Sequence, residues 1–327
     1  MKRVRGKFYF NFHTPSLFSG MKIKKVLIRK KTETGQSLLV LDSYDFGKIL
    51  VIDGIIQVTS KDDFFYSESL GIVPLLTHPQ PQKILILGGG DGGVLEKVLR
   101  SPLVKNIVLV ELDKEVIKIS QRYFKKEICG NSFKDPRLNL MIGDGKEYIE
   151  KKKEKFDLII SDLTDCFGPA KYLFTREFFQ KIKKHLRKNG LFALQSDAPL
   201  LFPKISSTIY KTLKIVFSYV FPYAVFIPSY GFEQSFILAS DFYHPLKIKK
   251  ERIKNRFIKN QLSNLNLLTP SFYFSLFNLP LTFKKVFQAR VKISTDKSPF
   301  DAKKIYPEAF LPNYLIDFDK NAKIEIL

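Results

Sequence analysis

Five acidic side chains in this 327-residue chain stand where ordinary surface solubility does not account for them. Asp91 interrupts a glycine run, Gly88-Gly89-Gly90-Asp91-Gly92-Gly93. Glu111 closes the apolar run NIVLVEL, Asp144 lies between Gly143 and Gly145, and Asp162 and Asp165 bracket DLTD. Glycines that follow an aliphatic run and open a helix let the backbone approach a nucleoside closely, with the helix N-terminus facing the ligand. Glu111, about twenty residues beyond that turn, has the spacing of an acid that accepts both ribose hydroxyls. Asp144 can accept from the exocyclic amine of adenine, or it can cap the helix that opens with GKEYIE. A helix cap would explain one of Asp162 and Asp165 but not both.

Asp91 argues against the usual occupant of such a turn. A dinucleotide would set its pyrophosphate against the carboxylate, a costly contact in a partly desolvated site. A cationic tail suits it. S-adenosylmethionine carries an amine and a carboxylate on its tail, whereas the decarboxylated form carries the amine alone. An aspartate at this position favours the second.

These residues need elements to hold them. Residues 22–60 alternate short β-rich runs with turns (KKVLIRK, SLLVLDS, KILVIDG, IIQVTS), which predicts a small antiparallel sheet. From Asp62 onward strands and helices alternate. DDFFYSESLGIVPLLTH reads as a helix, KILIL as a strand, GVLEKVLRS as a helix, NIVLVEL as a strand and KEVIKISQRYFKK as a helix; LNLMI and FDLIISD follow as strands. GLFALQS, YAVFIP and QSFILAS supply further strands. The fold class expected is α/β: a doubly wound, mostly parallel Rossmann-like sheet of the methyltransferase type, with a small N-terminal antiparallel β domain. The organisation expected is a β domain over 1–60, a catalytic domain over 61–285 and a C-terminal extension over 286–327. Ligands of such sheets sit outside the carboxyl ends of the strands, so the acids above collect at one rim.

Composition narrows the setting. Lys and Arg exceed Asp and Glu by 22, but the lysines are spread along the whole chain and no arginine-rich arm or aromatic ribonucleoprotein motif accompanies them. A nucleic-acid partner is therefore not required. Two widely separated cysteines, Cys129 and Cys166, suit a reducing cytoplasm and offer neither a disulfide framework nor a zinc site; no metal-ligand cluster is apparent. The basic N-terminus lacks the apolar core of a signal peptide. The apolar run from Ile215 to Ile227 is short and broken by Ser218 and Pro222, so no membrane span is expected.

The motifs together resemble the polyamine aminopropyltransferases, the spermidine synthase family. The resemblance runs from about Gly35 to Pro280 and is carried by GQSLLVLDSYDFGKILVIDGIIQVT, DDFFYSESL, HPQPQKILILGGGDGG, VLVELD, IGDGKEY and DLTDCFGPAKYLFTREFF, with QSDAP, PSYGFEQSFILAS and LLTPSFYFSLFNLP beyond. It implies transfer of an aminopropyl group from decarboxylated S-adenosylmethionine, as co-substrate and without metal, to putrescine, agmatine or a longer amine, by a homodimer or homotetramer. It further implies that Gln36, Glu111, Asp144, Gly145 and Pro169 hold the nucleoside, that Asp91 binds the aminopropyl amine, and that Asp162 accepts the proton. Asp165 would hold the acceptor amine, and Gln57, Tyr66 and Ser67 would line its channel. Two positions depart from the family pattern: Ser67 stands where histidine is common, and Cys166 where proline is usual. PSYGF replaces a PTYPSG-like pattern, which tilts the expected acceptor toward agmatine or a longer amine. A methyltransferase of the same sheet type is the nearest alternative, although such enzymes commonly place an acid before the first glycine, where this chain has Leu87. A non-catalytic homologue is the other.

Overall fold

The chain's structure is a computed structural model that describes residues 5–14, 16–163, 166, 168–307, 314–317 and 323–326. The β-rich runs near the N-terminus form a meander: β1 (Lys7–Phe12), β2 (Phe18–Lys31), β3 (Ser37–Ser43), β4 (Lys48–Ile52) and β5 (Ile55–Thr59), each antiparallel to the next. The two-residue turn Asp53-Gly54 joins β4 to β5 with positive φ at both residues, 50° and 82°. That is the twist a tight hairpin needs, and Asp-Gly supplies it cheaply. The sheet is wider than residues 22–60. It begins at Lys7, and β13 (Tyr314–Asp317) and β14 (Lys323–Ile326) from the far end of the chain extend it to the order β14-β13-β1-β2-β3-β4-β5. A four-residue strand such as β13, whose partner β1 lies some three hundred positions away, carries no local signal of that pairing.

From Asp63 the pattern becomes α1 (Asp63–Thr77), β6 (Lys83–Gly88), α2 (Gly93–Leu99), β7 (Asn106–Glu111), α3 (Lys114–Tyr123), β8 (Leu138–Ile142), α4 (Gly145–Lys151) and β9 (Phe156–Asp162). Then come α5 (Arg176–His185), β10 (Leu186–Gln195), α6 (Pro203–Val216), β11 (Tyr219–Ile227) and β12 (Phe232–Ser240), with α7 (Lys250–Lys259), α8 (Phe272–Ser275), α9 (Leu281–Gln288) and α10 (Ala302–Ile305) after the sheet. Strand order is β11-β12-β10-β9-β6-β7-β8. The five strands from β10 to β8 are parallel; β12 runs against them, and β11, antiparallel to β12, returns to their direction at the edge. The central strands are buried on both faces, which explains the unbroken aliphatic runs KILIL and DLIIS.

Capping residues fix where several helices begin. Asp113, Asp144 and Thr175 accept from the backbone N–H groups of Glu115, Lys146 and Phe178 at the starts of α3, α4 and α5. Helix α1 is apolar nearly all round because it is buried: Leu70, Ile72, Val73, Leu75 and Leu76 join the core on one face of the sheet. β6 and β9 are neighbours whose onward connections lead to opposite sides, β6 toward β7 and β9 toward β10. That divergence opens a crevice above Gly88 and Asp162, which are paired in register.

Candidate active site

The crevice at that switch point is a cavity of about 310 Å³ whose wall includes Gly88 to Asp91, Glu111, Asp144 and Asp162. Its floor depends on glycine. At Gly88, with φ of +80°, a side chain's first carbon would stand 2.1 Å from the carbonyl oxygen of Asp162, so no other residue fits there without displacing β9. At Gly90 the same atom would lie 2.9 Å from the carboxyl of Glu111. The turn closes with Gly89 N donating to Asp162 O at 3.0 Å and Gly93 N donating to Asp91 Oδ1 at 2.7 Å. Asp91 thus caps its own turn with one oxygen while its residue lines the cavity.

The four acids Asp63, Asp91, Glu111 and Asp162 are drawn together at the carboxyl ends of β6, β7 and β9 and at the start of α1. Burial raises the Asp162 carboxyl well above the usual range, and the charges of Asp91, Asp63 and Glu111 push it the same way. Burial also raises Asp91. Glu111 is pushed up to about 7 by burial, against the pull of backbone hydrogen bonds from Asp113 and Gly90. Asp63 likewise reaches about 7, by burial first and by the charge of Asp91 second, with Lys97 opposing. Such a cluster favours neutral acids when empty and a cation when filled.

Asp162 shows the need most directly. Tyr66 donates its hydroxyl to Oδ1 at 2.9 Å, while Oδ2 is buried with no hydrogen-bond partner among the described residues. A buried carboxylate oxygen is costly to leave unpaired, and an N–H donor from a ligand would satisfy it.

The remaining wall comes from several elements. Gln36, Asp144, Gly145 and Pro169 lie on it, and Asp144 Oδ1 also accepts from Lys146 N at 2.7 Å to cap α4. Gln57 and Tyr66 line it too, and Tyr230 donates its hydroxyl to Gln57 O at 2.5 Å. Tyr230 is fixed from below: Asp62 accepts from Ser229 N at 2.7 Å and from Ser229 Oγ at 3.0 Å. Ser67 is not part of the wall. It is buried one turn along α1 and donates to Asp63 Oδ2 at 2.9 Å, because a helix that shows Tyr66 to the cavity turns the next residue away. Its neighbour Glu68 is structural, accepting from the backbone of Asn266, Leu267 and Leu268 at 2.8–3.0 Å. Asp165 lies outside the described residues.

Two family models match the chain: a spermine/spermidine synthase domain over residues 63–245 and a spermidine synthase tetramerisation domain over residues 8–60. The chain belongs to the spermine/spermidine synthase family. Among curated relatives of this family, a polyamine aminopropyltransferase of Korarchaeum cryptofilum is 35% identical over 310 residues, which cover 94% of this chain and 95% of the relative. One from Clostridium tetani is 38% identical over 256 residues, 77% of this chain and 90% of the relative. Spermidine synthase from Thermotoga maritima superposes with a TM-score of 0.79 at 32% identity, covering 88% of this chain and 98% of that one. A spermidine synthase in complex with the transition-state analogue AdoDATO gives 0.80 at 31% identity, with the same coverage. The α/β fold with its N-terminal antiparallel sheet is thus that of spermidine synthase.

The cavity also has walls that the sequence left unassigned. Asp197, in QSDAP, lies beyond β10 with φ of +64° and lines the cavity beside Gln195 and Gln234. The strand-end rule that found Asp162 would have found it as well. Asn11, Phe12 and His13 reach the cavity from β1 and the turn after it. Nothing local in FNFH signals that role, since it arises only when the two sheets meet.

Proposed function

We propose that this aminopropyltransferase takes its aminopropyl group from decarboxylated S-adenosylmethionine and passes it to a primary amine of a polyamine or agmatine acceptor. The observation that carries the proposal is the acid-lined cavity in which Asp91 stands inside the glycine turn and one buried oxygen of Asp162 has no donor among the described residues. Glu111 accepts from the ribose hydroxyls, Asp144 and Gly145 meet the adenine edge, Pro169 covers its face, and Gln36 contacts the methylthioadenosine part of the donor. Asp91 pairs with the aminopropyl amine, for which the parent compound's carboxylate would be a repulsive substitute.

The acceptor's primary amine is mostly protonated in water and cannot attack in that form. Asp162 accepts its proton and orients the lone pair at the carbon next to sulfur. A carbon–nitrogen bond forms as the carbon–sulfur bond breaks; the bonding pair stays on sulfur, which leaves as neutral methylthioadenosine, and the positive charge passes to the newly alkylated nitrogen. Holding both reactants in line supplies much of the rate. Tyr66 orients Asp162, and Gln57 and Asp165 steady the acceptor. The homologous region at 8–60 supports a dimer or tetramer as the working form, and a chain with only two cysteines, far apart in sequence and both buried, suits a cytoplasmic setting. No helix among the described residues is long and apolar enough to cross a membrane.

Incubation with decarboxylated S-adenosylmethionine and a panel of putrescine, agmatine, spermidine and longer amines, read by product mass, tests the proposal. Methylthioadenosine and an acceptor heavier by one aminopropyl group are expected. Methyl transfer from the parent S-adenosylmethionine, or no transfer with any amine, would overturn it.

A further inference from the structure

The polypeptide after α9 carries little secondary structure of its own between Ala289 and Asp301, a single bridge between Thr295 and Ser298, so its backbone and side chains look elsewhere for partners. They find them on the loop between β9 and α5. Arg176 N donates to Ser294 O at 2.8 Å, Thr175 Oγ1 to Asp296 Oδ1 at 2.6 Å, and Ala302 N to Cys166 O at 2.8 Å. Lys171 Nζ donates to Asp301 Oδ2 at 3.1 Å, and the two side chains are only 21% and 12% exposed. Asp296 N returns a bond to Glu177 Oε2 at 2.9 Å.

What those bonds hold is the short helical turn Gly168–Phe174, which carries the cavity-wall residues Pro169, Ala170 and Leu173. Lys171 lies in the middle of that turn. The next residue, Tyr172, has Lys171 Nζ 5.6 Å and Lys146 Nζ 5.0 Å from its ring centroid, which ties the turn to the Asp144–Lys146 segment on the other side of the pocket. The same C-terminal stretch ends at the cavity. Tyr306 lines it, packs edge-on against Phe202 at 5.4 Å and accepts from Lys204 N at 3.0 Å.

We infer that Ser294–Tyr306 is a positioning strap for the nucleoside pocket, in which the Asp301–Lys171 pair sets the placement of the wall formed by Pro169, Ala170 and Leu173. A partly buried ion pair is well suited to this. Removing one partner leaves a charge short of water and of company, so the turn must shift to re-solvate it. The inference rests on the donor reading above, because it assigns the adjusted wall to the nucleoside.

Methylthioadenosine is the probe, since its binding requires no turnover. Asp301→Asn and Lys171→Met should each weaken its affinity in calorimetry by about tenfold, the scale of a lost charge-assisted hydrogen bond. The double variant should be no worse than either single change, and Asp301→Glu should retain most of the affinity. Turnover at saturating donor should stay within about twofold of the parent protein. Hydrogen exchange of the ligand-free variants should show faster exchange confined to Gly168–Phe174. Unchanged affinity in both single variants, or a lowered melting temperature with affinity and exchange of that turn intact, would overturn the strap. Should the parent protein not bind methylthioadenosine at all, the donor reading fails, and unchanged exchange in that turn would still overturn the strap on its own.

Discussion

Tyr66 and Asp162 lie 96 residues apart in the chain, one on the first helix and one at the tip of a central strand, yet the phenol donates to the carboxylate at 2.9 Å. The tyrosine hydroxyl is itself held protonated, since burial and the nearby charge of Asp162 raise it well above its ordinary value. It is therefore a dedicated donor that lowers the Asp162 carboxyl against the upward push of burial. Tyr66→Phe should leave Asp162 harder to ionise, so the acid limb of the turnover profile should move to higher pH and turnover at neutral pH should fall by about ten- to a hundredfold. Asp162→Asn should reduce turnover by about a hundred- to ten-thousandfold while donor binding is largely kept. Near-native turnover in Asp162→Asn with every amine tested would remove it as the proton acceptor.

Donor selectivity rests on a different acid. With Oδ1 of Asp91 committed to Gly93 N at 2.7 Å, the carboxylate is held in one orientation in the turn. Asp91→Asn can preserve that cap through the amide oxygen while deleting the charge. Binding of decarboxylated S-adenosylmethionine should weaken by about ten- to a hundredfold, and discrimination against the parent compound should shrink. Calorimetry with both ligands checks this. If selectivity is untouched, the acid serves the turn and not the ligand.

The sheet and its rim were legible because the relevant signals are local. KILIL followed by GGGDGG, an acid at the end of NIVLVE and another at the end of FDLIISD each announce a strand end, and the parallel topology brings all three together. Ser67 misled because adjacency in sequence to Tyr66 is not adjacency in space on a helix: successive residues point about a hundred degrees apart. The roles of Asn11, His13 and Tyr306 were invisible for another reason. Each reaches the cavity across a packing of elements far apart in the chain, and FNFH or KKIYPE reads as ordinary strand or loop. The tail strand Tyr314–Asp317 likewise takes its meaning from an edge, that of β1, which local pattern cannot name.

Glu68 gives a prediction about stability alone. Its fully buried carboxylate accepts three backbone N–H groups from Asn266, Leu267 and Leu268, and so pins the segment ahead of α8 beneath α1. Glu68→Ala would leave three backbone donors without their acceptor, the one at Leu268 in the interior, and should cost about 2–4 kcal/mol of unfolding free energy. Glu68→Gln, which restores one acceptor but turns an amine toward N–H groups, should recover only part. Urea denaturation measures both. Kd for the donor should be little changed in whatever fraction stays folded, and a selective loss of donor affinity without loss of stability would show that Glu68 reaches the site.

Proton release should accompany donor binding. Asp63 and Glu111 both sit near 7 in the empty protein, above their ordinary values of 3.8 and 4.5, and burial also raises Asp162 well above the usual carboxylate range. Between about pH 4.5 and 7 the folded protein therefore holds protons that the unfolded chain has already shed, and the stability contributed by these acids declines as pH rises through that window. A sulfonium and an ammonium placed among them reverse the balance, because an adjacent cation favours the carboxylate. Binding measured at about pH 6.5 in buffers of different ionisation enthalpy should release on the order of one proton or more. Apparent donor affinity should rise with pH up to about 7 and level off beyond it, and the donor's stabilising effect on melting should grow over the same range. Glu111→Gln should reduce the number of protons released, whereas a variant outside the cluster should not. Proton uptake on binding, or affinity that is flat from pH 5.5 to 7.5, would mean that these acids are already ionised in the empty site.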